Sequence, residues 1–317
     1  MTNTVVIETG YSVVIPVYNS EQGLPILIEA LITLFSEMNS NYEIILVNDG
    51  SRDKSWEIIS KLEAQHDHII GINLMRNYGQ HNALLCGIRA AQHAVTITMD
   101  DDLQHPPSEI QILLNKLSEG YDVVYGVPQA RQHGLWRDMA TQLTKLVLQN
   151  AMGVSAAANI SAFRVFRTQV REAFAEYEGN YVSIDVLLTW GTTRFIAVPV
   201  LHQEREYGKS NYTFRKLIRH TLNLVTGFSI LPLRFASLIG FGFTGFGFLV
   251  LLYVVGRYMI QGEIVPGFPF LASIIAIFSG VQLFALGVIG EYIAGIHARS
   301  MSRPAYTVRE RIGNDNS

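Results

Sequence analysis

Cysteine and charge are both scarce in this chain. Its 317 residues include one cysteine, Cys86, so no intrachain disulfide is possible, which fits a reducing compartment. Charged residues make up 16% of the chain, a low share because soluble domains carry roughly 25%. The formal net charge of −3 gives no basic excess, so we expect no nucleic-acid partner. Cys86 lies in an apolar run, and we interpret it as a buried small residue rather than a nucleophile.

The N-terminus lacks the features of a signal peptide. Residues 1–8 contain neither a basic region nor a long apolar stretch, which predicts that the first domain stays in the cytosol. What the chain has in excess is apolar residues, which make up 49% of it.

Two long uncharged runs account for the apolar excess. They cover residues 235–256 and 268–290, and each is long enough, at about 22 residues, to cross roughly 30 Å of hydrocarbon as a helix. A connector containing Pro266 and Gly267 separates them, which predicts a hairpin of two transmembrane helices. The alternative is a pair of buried core helices, although such helices rarely run this long without charge.

Basic residues predict the orientation of this hairpin. They flank the two runs on their outer sides, at Arg215, Lys216, Arg219, Arg234, Arg299, Arg303, Arg309 and Arg311. The positive-inside rule then places the N-terminal domain and the C-terminal tail in the cytoplasm. We expect the membrane to be the inner (plasma) membrane of the cell. Residues 212–231 mix basic and apolar side chains. They predict amphipathic helices on the membrane face, with an ordinary surface helix as the alternative.

One motif match inside the first run is misleading. Gly240, Gly242 and Gly245 fit the dinucleotide-binding pattern of spaced glycines, but no strand precedes them and they lie within a predicted span. We interpret them instead as positions that let the two membrane helices approach closely.

The N-terminal half alternates apolar runs with stretches of helical periodicity. The runs predict strands at 12–16, 42–47, 69–74 and 94–99, and the periodic stretches predict helices at 26–38, 55–65 and 82–92. This alternation is typical of an α/β, Rossmann-like fold with a mostly parallel sheet. Ligands of such sheets bind beyond the carboxyl ends of the strands.

An acidic run follows the last of these strands. Asp100, Asp101 and Asp102 are consecutive, and three adjacent carboxylates repel one another unless a cation offsets their charge. Alternation along the backbone lets Asp100 and Asp102 converge while Asp101 points away. Their hard oxygen atoms suit Mg²⁺ or Mn²⁺, whose remaining coordination positions substrate phosphates can fill.

Several motifs together resemble those of one enzyme family. They are Ser12–Asn19, Val47–Ser51, Arg76–His81, Met99–Gln104, Gly120–Gly126, His202–Tyr212, Pro232–Arg234 and Gly290–Ile293. The chain resembles the family 2 glycosyltransferases of GT-A fold. Within that family it is similar to polyprenyl-phosphate glycosyltransferases, such as dolichyl-phosphate mannose synthases and undecaprenyl-phosphate aminoarabinose-type transferases. The resemblance extends from Tyr11 to about Val308.

The resemblance implies three sets of site residues. The base and ribose of a nucleotide-sugar, most simply a UDP-sugar, would contact Pro16, Tyr18, Asp49 and Arg76. The diphosphate and its Mg²⁺ or Mn²⁺ ion would contact Asp100, Asp102 and Gln104, with Asp101 also on the substrate side. The phosphate of a polyprenyl-phosphate acceptor would contact Arg131, Arg205, Lys209 and Ser210. Asp100, Asp102, Gln104 and Arg131 would then carry catalysis, with inversion at the anomeric carbon.

The resemblance also implies a division of the chain. A cytosolic GT-A domain would cover residues 1–205, juxtamembrane helices 206–232, two transmembrane helices 233–292 and a cytosolic tail 293–317. Membrane lipids would surround the helices, and relatives suggest a homo-oligomer. Two other functions stay open: a processive polysaccharide synthase, and a non-catalytic membrane scaffold that binds nucleotide-sugars. The first lacks a Gln-x-x-Arg-Trp motif, and the intact acidic run argues against the second.

The chain departs from the family pattern at three places. Ser20 and Glu21 replace the usual glutamate after Tyr-Asn, Pro128 replaces a common arginine, and residues 160–164 lack the usual acidic residue before an aromatic. Because Glu21 and residues 160–164 are expected near the donor, neither aminoarabinose nor mannose is carried over as the sugar.

Overall fold

The computed structural model describes residues 10–128, 160–179, 182–203, 231–261, 267–301 and 303–313. The chain divides into two compact units. The first combines Met1–Thr213 with Arg303–Ser317, and the second is Phe214–Ser302. The C-terminal tail thus belongs to the same unit as the N-terminal half.

The first unit is built on one eight-stranded sheet. Its strands are β1 (Tyr11–Val17), β2 (Tyr42–Asn48), β3 (Ile69–Leu74), β4 (Val95–Thr98), β5 (Val123–Pro128), β6 (Arg164–Arg167), β7 (Phe195–Val200) and β8 (Val308–Ile312). They lie in the order β7-β5-β6-β4-β1-β2-β3-β8. Strands β1 to β4 pair in parallel, and β5 pairs in parallel with β7. β6 runs antiparallel to β4 and β5, and β8 runs antiparallel to β3. The sheet is therefore mixed, with a parallel centre.

Helices cover both faces of this sheet, which is why its central strands are buried and largely apolar. Within the described residues, the α-helices of the first unit are α1 (Leu24–Glu37), α2 (Ser55–Gln65), α3 (Gln80–Ala90), α4 (Ile110–Ser118) and α5 (Ile184–Gly191). On one face Leu27 and Phe35 of α1 pack into the core, and on the other Leu84 and Ile88 of α3 do so. The predicted strands and helices of residues 12–99 are all present, with ends shifted by two residues or fewer.

The parallel centre determines where a ligand site can form. β1, β2, β3 and β4 all end at one edge of the sheet. The loops that follow them begin at Tyr18, Asp49, Met75 and Met99. In open α/β sheets this edge is where ligands bind.

The second unit contains two long apolar helices, α6 (Leu231–Gln261) and α7 (Phe268–Ser300). Each includes a stretch long and apolar enough to cross a membrane, Leu233–Ile260 and Ile277–His297, and neither stretch is buried within the chain. In a pair of core helices both stretches would be buried, so the alternative of buried core helices is wrong. α7 also continues to Ser300, past the predicted end of the second span.

The packing of these helices corrects one interpretation of the glycines. A Cβ atom added at Gly240, Gly242 or Gly245 would meet nothing within 4 Å, so these residues do not bring the helices together. Gly247 does so, because a Cβ there would lie 2.8 Å from the ring of Phe278. The spacing pattern selected the wrong glycines because helix contacts depend on which side of the helix faces its neighbour.

Candidate active site

The acidic run lies in the turn that follows β4. Asp100 Oδ1 accepts a hydrogen bond of 2.6 Å from Gln80 Nε2 at the start of α3. Asp102 Oδ1 accepts one of 3.2 Å from the backbone N–H of Gln104. Between Asp102 and Gln104, Leu103 adopts a positive φ of 60°. This turn therefore presents two partly exposed carboxylates at the ligand-binding edge of the sheet.

Asp101 is engaged with the loop after β1. Its Oδ2 atom accepts hydrogen bonds from the backbone N–H of Tyr18, at 3.1 Å, and from the hydroxyl of Ser20. Burial raises the pKa of this carboxyl, while the two hydrogen bonds act in the opposite direction. Asp101 thus fixes the β1 loop beside the acidic run, a contact between residues more than 80 positions apart.

The acidic run fits a divalent ion shared with a substrate. Among the described residues, no group of three or more histidine, cysteine or acidic side chains is arranged to hold a metal ion by itself. Asp100 and Asp102 supply one or two carboxylates, which is the usual protein share of a Mg²⁺ site completed by phosphate oxygens and water. The donor set therefore suits a hard divalent ion that binds together with a phosphorylated ligand.

Gln104 and His202 lie side by side next to this turn. The backbone N–H of Gln203 donates to the carbonyl of Gln104 at 2.9 Å, and Gln104 Nε2 lies 3.3 Å from His202 Nε2. The ring of His202 is 4.9 Å from that of His105, which stacks on Phe163. Sequence analysis did not select His202 as a site residue, since no local pattern indicates a contact with a loop almost 100 positions earlier.

Asp49 follows β2 and binds the loop after β3. Its two carboxylate oxygens accept hydrogen bonds from the backbone N–H groups of Tyr78, at 2.7 Å, and Gly79, at 2.9 Å. Burial raises the pKa of Asp49 to about 6, although these hydrogen bonds oppose the shift. Arg76 is exposed, and its guanidinium carbon lies 4.6 Å from the centre of the Tyr78 ring. Asp49 and Arg76 are thus brought to one loop, beside the other strand ends.

The remaining predicted residues divide into two groups. Pro16 is buried inside β1, which continues to Val17 instead of ending at the proline, and Tyr18 is 37% exposed at the strand end. The predicted acceptor residues lie outside the described part of the chain; they are Arg131, Arg205, Lys209 and Ser210. The roles assigned to both groups stay predictions.

Glu21 and residues 160–164 were expected near the donor. Glu21 accepts a hydrogen bond of 3.0 Å from the backbone N–H of Lys54, so its carboxylate is engaged by the turn before α2. Arg164 is almost fully buried and forms an ion pair with Asp185 of α5. It also donates to Thr98 Oγ1 at 3.0 Å, and Thr98 donates to the carbonyl of Ala162 at 2.8 Å. This pair supports β4 two residues before the acidic run begins.

A mixed α/β sheet with an acidic turn at its ligand edge is the arrangement expected of a nucleotide-sugar-dependent transferase. Residues 12–175 match the family described as Glycosyl transferase family 2. The chain belongs to this family, and it is therefore a glycosyltransferase.

The names of its relatives state a narrower activity than the family description does. The chain is 38% identical to an undecaprenyl-phosphate 4-deoxy-4-formamido-L-arabinose transferase of Pectobacterium atrosepticum, over 95% of this chain and 93% of that protein. It is 37% identical to the enzyme of the same name from Photorhabdus laumondii, over 96% and 94%. Coverage of this extent includes the apolar helices as well as the sheet.

Solved structures with a similar fold are more distant. One is glucosyl-3-phosphoglycerate synthase from Mycobacterium tuberculosis in complex with Mn²⁺ and UDP-glucose. It is 17% identical, with a TM-score of 0.49, over 69% of this chain and 77% of that one. Another is residues 1–349 of the S. aureus protein TarS in complex with UDP. It is 15% identical, with a TM-score of 0.47, over 68% and 64%.

Proposed function

We propose that this glycosyltransferase moves a sugar from a UDP-sugar to undecaprenyl phosphate, with inversion at the anomeric carbon. The observation that carries the proposal is the similarity to undecaprenyl-phosphate transferases along 95% of the chain. A similarity limited to residues 12–175 would have supported sugar transfer alone. Its extension through the apolar helices supports a lipid acceptor, because a membrane anchor brings the enzyme to a substrate that cannot leave the bilayer.

The donor would bind across the ends of β1 to β4. Asp49, Arg76 and Tyr18 would contact the base and ribose, and Pro16 would support them from within β1. Asp100 and Asp102, aided by Gln104, would hold a Mg²⁺ or Mn²⁺ ion against the diphosphate. When bound, this ion would neutralise the charge that develops on the departing nucleoside diphosphate.

The acceptor needs little activation. A phosphate monoester has a second pKa of about 6, so near neutral pH it is already mostly the dianion and can attack the anomeric carbon without a strong base. Rate enhancement would then come mainly from positioning and from charge stabilisation. Arg131, Arg205, Lys209 and Ser210 would bind the acceptor phosphate, since cationic and hydroxyl groups suit an anionic headgroup.

The apolar helices define the proposed location. α6 and α7 would cross the inner (plasma) membrane as a hairpin, with the sheet domain and the tail on the cytoplasmic side. Division into a domain over residues 1–205, juxtamembrane helices over 206–232, spans over 233–292 and a tail over 293–317 belongs to this proposal. So does assembly into a homo-oligomer.

The sugar is the least constrained part of the proposal. The relatives' names specify 4-deoxy-4-formamido-L-arabinose. However, Glu21 binds the turn before α2, and Arg164 is buried against Asp185. Two positions that sequence analysis expected near the sugar are thus engaged elsewhere. The formamido sugar is one candidate among UDP-linked sugars and belongs in any donor screen.

The test is a transfer assay with the full-length protein in detergent or liposomes. It uses undecaprenyl phosphate, Mg²⁺ or Mn²⁺, and a panel of labelled UDP-sugars that includes the 4-formamido-arabinose donor. We expect a labelled lipid that partitions into chloroform. A long water-soluble polymer would indicate a polysaccharide synthase, and no transfer from any donor would indicate a scaffold; either result would overturn the proposal.

The metal assignment has its own test. Asp102→Ala removes a carboxylate from the site, and we expect transfer to fall by at least about 100-fold because leaving-group stabilisation of this kind contributes several kcal/mol. Titration of Mn²⁺ by electron paramagnetic resonance, in the presence of UDP, measures the ion directly. Asp122→Asn, at an acidic residue beyond the site, is the matched control. Unchanged turnover or unchanged Mn²⁺ binding in Asp102→Ala would refute the assignment.

A further inference from the structure

One side of α7 packs on α6. The ring of Phe278 lies 5.9 Å from that of Phe243, and a Cβ atom at Gly247 would lie 2.8 Å from Phe278. The other partly buried residues of this side follow at intervals of three or four positions; they are Ile274, Val281, Ala285, Val288 and Tyr292. Residues at this spacing share one side of a helix. The remaining described residues between positions 275 and 293 are exposed.

A second row of residues lies next to the α6-facing side. It has the same spacing, shifted by one position, and we call it the Gln282 side. Its members are Ile275, Ser279, Gln282, Leu286, Ile289 and Ile293, all of them exposed. Apolar residues at alternating intervals of three and four, with a polar residue in the middle, are typical of the contact surface between two helices.

Gln282 lies deep within the apolar part of α7. Phe268–Gly290 contains no charged residue. Gln282 follows Phe268 by 14 positions and precedes Glu291 by nine, which at about 1.5 Å per residue is about 21 Å and 13 Å of helix. Glutamine is shorter than the lysine and arginine side chains that reach the membrane surface from within a helix. In a helix that crosses a membrane, this amide would therefore lie in hydrocarbon.

The amide of Gln282 has no partner of its own. In the part of the chain that the structure describes, this side chain makes no hydrogen bond. Thr244 of α6 shows how a polar residue in such a helix can be satisfied, because its hydroxyl donates to the carbonyl of Gly240 at 2.9 Å. A primary amide in hydrocarbon is costly unless it is hydrogen-bonded. The group that satisfies Gln282 must therefore come from another molecule.

We propose that the Gln282 side of α7 is a contact surface for a second copy of this chain, with the two Gln282 amides hydrogen-bonded to each other. The inference rests on the part of the proposed function that places α7 across a membrane. It deepens the proposed homo-oligomer by naming a surface through which copies meet. A primary amide carries both donors and an acceptor, so two of them satisfy each other.

Membrane orientation favours a second copy over any other occupant. Copies inserted with the same orientation have parallel α7 helices at the same depth. A symmetric assembly of such copies therefore brings Gln282 level with Gln282. The acyl chains of lipids offer no hydrogen-bonding group to an amide in the hydrocarbon region.

Disulfide cross-linking tests which side of α7 meets the second copy. The full chain in liposomes of phosphatidylcholine and phosphatidylglycerol carries Cys86→Ala, which removes its single cysteine. Leu286→Cys then places a thiol on the Gln282 side. Phe284→Cys is the control, since it lies at nearly the same depth but about 160° away round the helix. After oxidation with copper phenanthroline, we expect at least about fivefold more linked dimer for Leu286→Cys, because a thiol on the far side cannot reach its counterpart. Equal yields would overturn the inference.

The contribution of the amide is measured by energy transfer between copies labelled at the N-terminus, as the protein is diluted with lipid. Gln282→Leu should weaken association by about three- to thirtyfold, the range for one hydrogen bond between membrane helices. Gln282→Asn keeps an amide and should recover part of this loss. Thr244→Val removes a hydroxyl that bonds within its own helix, and should stay within about twofold of wild type. Unchanged association in Gln282→Leu, equal weakening in Thr244→Val, or wild type that does not associate would overturn the inference.

Two further readings separate this inference from the proposed function. Release of the protein from liposomes by sodium carbonate would overturn both, because α7 would not cross the membrane. Retention without association would overturn the inference alone, and would leave another membrane protein as the occupant. A raised KM for undecaprenyl phosphate in Gln282→Leu, at unchanged association, would mean that the lipid covers this side, and would overturn the inference too. Association of a wild type that transfers no sugar would support it while the proposed function failed.

Discussion

Removing Asp185 should destabilise the sheet domain more than almost any other single substitution. The side chain of Arg164 is 1% exposed and that of Asp185 is 9% exposed. Asp185 also accepts a hydrogen bond of 3.1 Å from the hydroxyl of the fully buried Tyr125. In Asp185→Leu, the guanidinium of Arg164 keeps its neutral contact with Thr98 but loses its counter-charge.

The expected cost follows from this burial. Leaving one member of a buried ion pair without its partner costs about 3–5 kcal/mol, because the remaining charge stays in a medium of low dielectric constant. Replacing both charges by apolar side chains removes that penalty. We therefore expect Asp185→Leu to lose about 3–5 kcal/mol of unfolding free energy, and Arg164→Met/Asp185→Leu to regain at least about 2 kcal/mol of it. Recovery stays incomplete because the Tyr125 hydroxyl has lost its acceptor.

Tryptophan fluorescence can measure this without interference from the apolar helices. The three tryptophans, Trp56, Trp136 and Trp190, all precede the apolar helices in the sequence and fall within Met1–Thr213, the range of the unit that contains the sheet. Urea unfolding of the full chain in detergent therefore reports on that unit. Glu119→Gln, which breaks an exposed ion pair with Lys116, is the control and should leave the midpoint unchanged. Additive losses in the double variant, or a loss below about 1 kcal/mol in Asp185→Leu, would refute the reasoning.

Two further predictions concern the loops around the donor site. Burial raises the pKa of Asp49 to about 6, whereas an unfolded aspartate titrates near 4. Between about pH 4 and 6 the folded state therefore holds a proton that the unfolded state has released, and the contribution of Asp49 to stability falls as pH rises. Urea unfolding across this range measures the slope of the unfolding free energy against pH, and this slope should be less negative for Asp49→Asn than for wild type. Equal slopes for the two proteins would count against the raised pKa of Asp49. Gly50→Ala should lower the unfolding free energy by about 1 kcal/mol or more, because Gly50 has a φ of +66° and a Cβ there would lie 2.6 Å from the backbone of Arg76 and Asn77. Gly79→Ala is the control, because Gly79 also has a positive φ but a Cβ there would meet nothing within 4 Å. If thermal or urea unfolding showed an equal loss of unfolding free energy in both variants, the clash at Gly50 would contribute nothing.

Much of the sheet domain was predictable because its signals are local. A buried strand appears in the sequence as an apolar run. The amphipathic helix α1 appears as apolar residues at helical spacing, here Leu27, Leu31 and Phe35. The end of β4 at Thr98, two residues before Asp100, follows from the same pattern to within one residue. Parallel pairing then brings the strand ends to one edge, so the region of the candidate site could be located from the sequence.

Side-chain directions within that region could not be predicted in the same way. Asp101 was predicted to point away from Asp100 and Asp102, on the substrate side, but the sequence did not indicate that its carboxylate accepts hydrogen bonds from Tyr18 and Ser20. Glu21 looked like a donor contact, yet it binds the turn before α2. In both cases a backbone N–H of a neighbouring loop donates a hydrogen bond to the carboxylate. The sequence does not indicate which loops are neighbours.

Residue patterns alone were enough to predict the family, the α/β class, the acidic turn after β4 and the two long apolar helices. Each depends on residue order over a few to about 30 positions, which is the range over which periodicity and motifs carry information. Three other features could be seen only in the folded chain: β8 joins β3, His202 lies beside Gln104, and Arg164 pairs with Asp185. These contacts join residues from 21 to more than 230 positions apart. They form because unpaired strand edges and buried charges are costly, and only the folded chain brings the groups that satisfy them within reach.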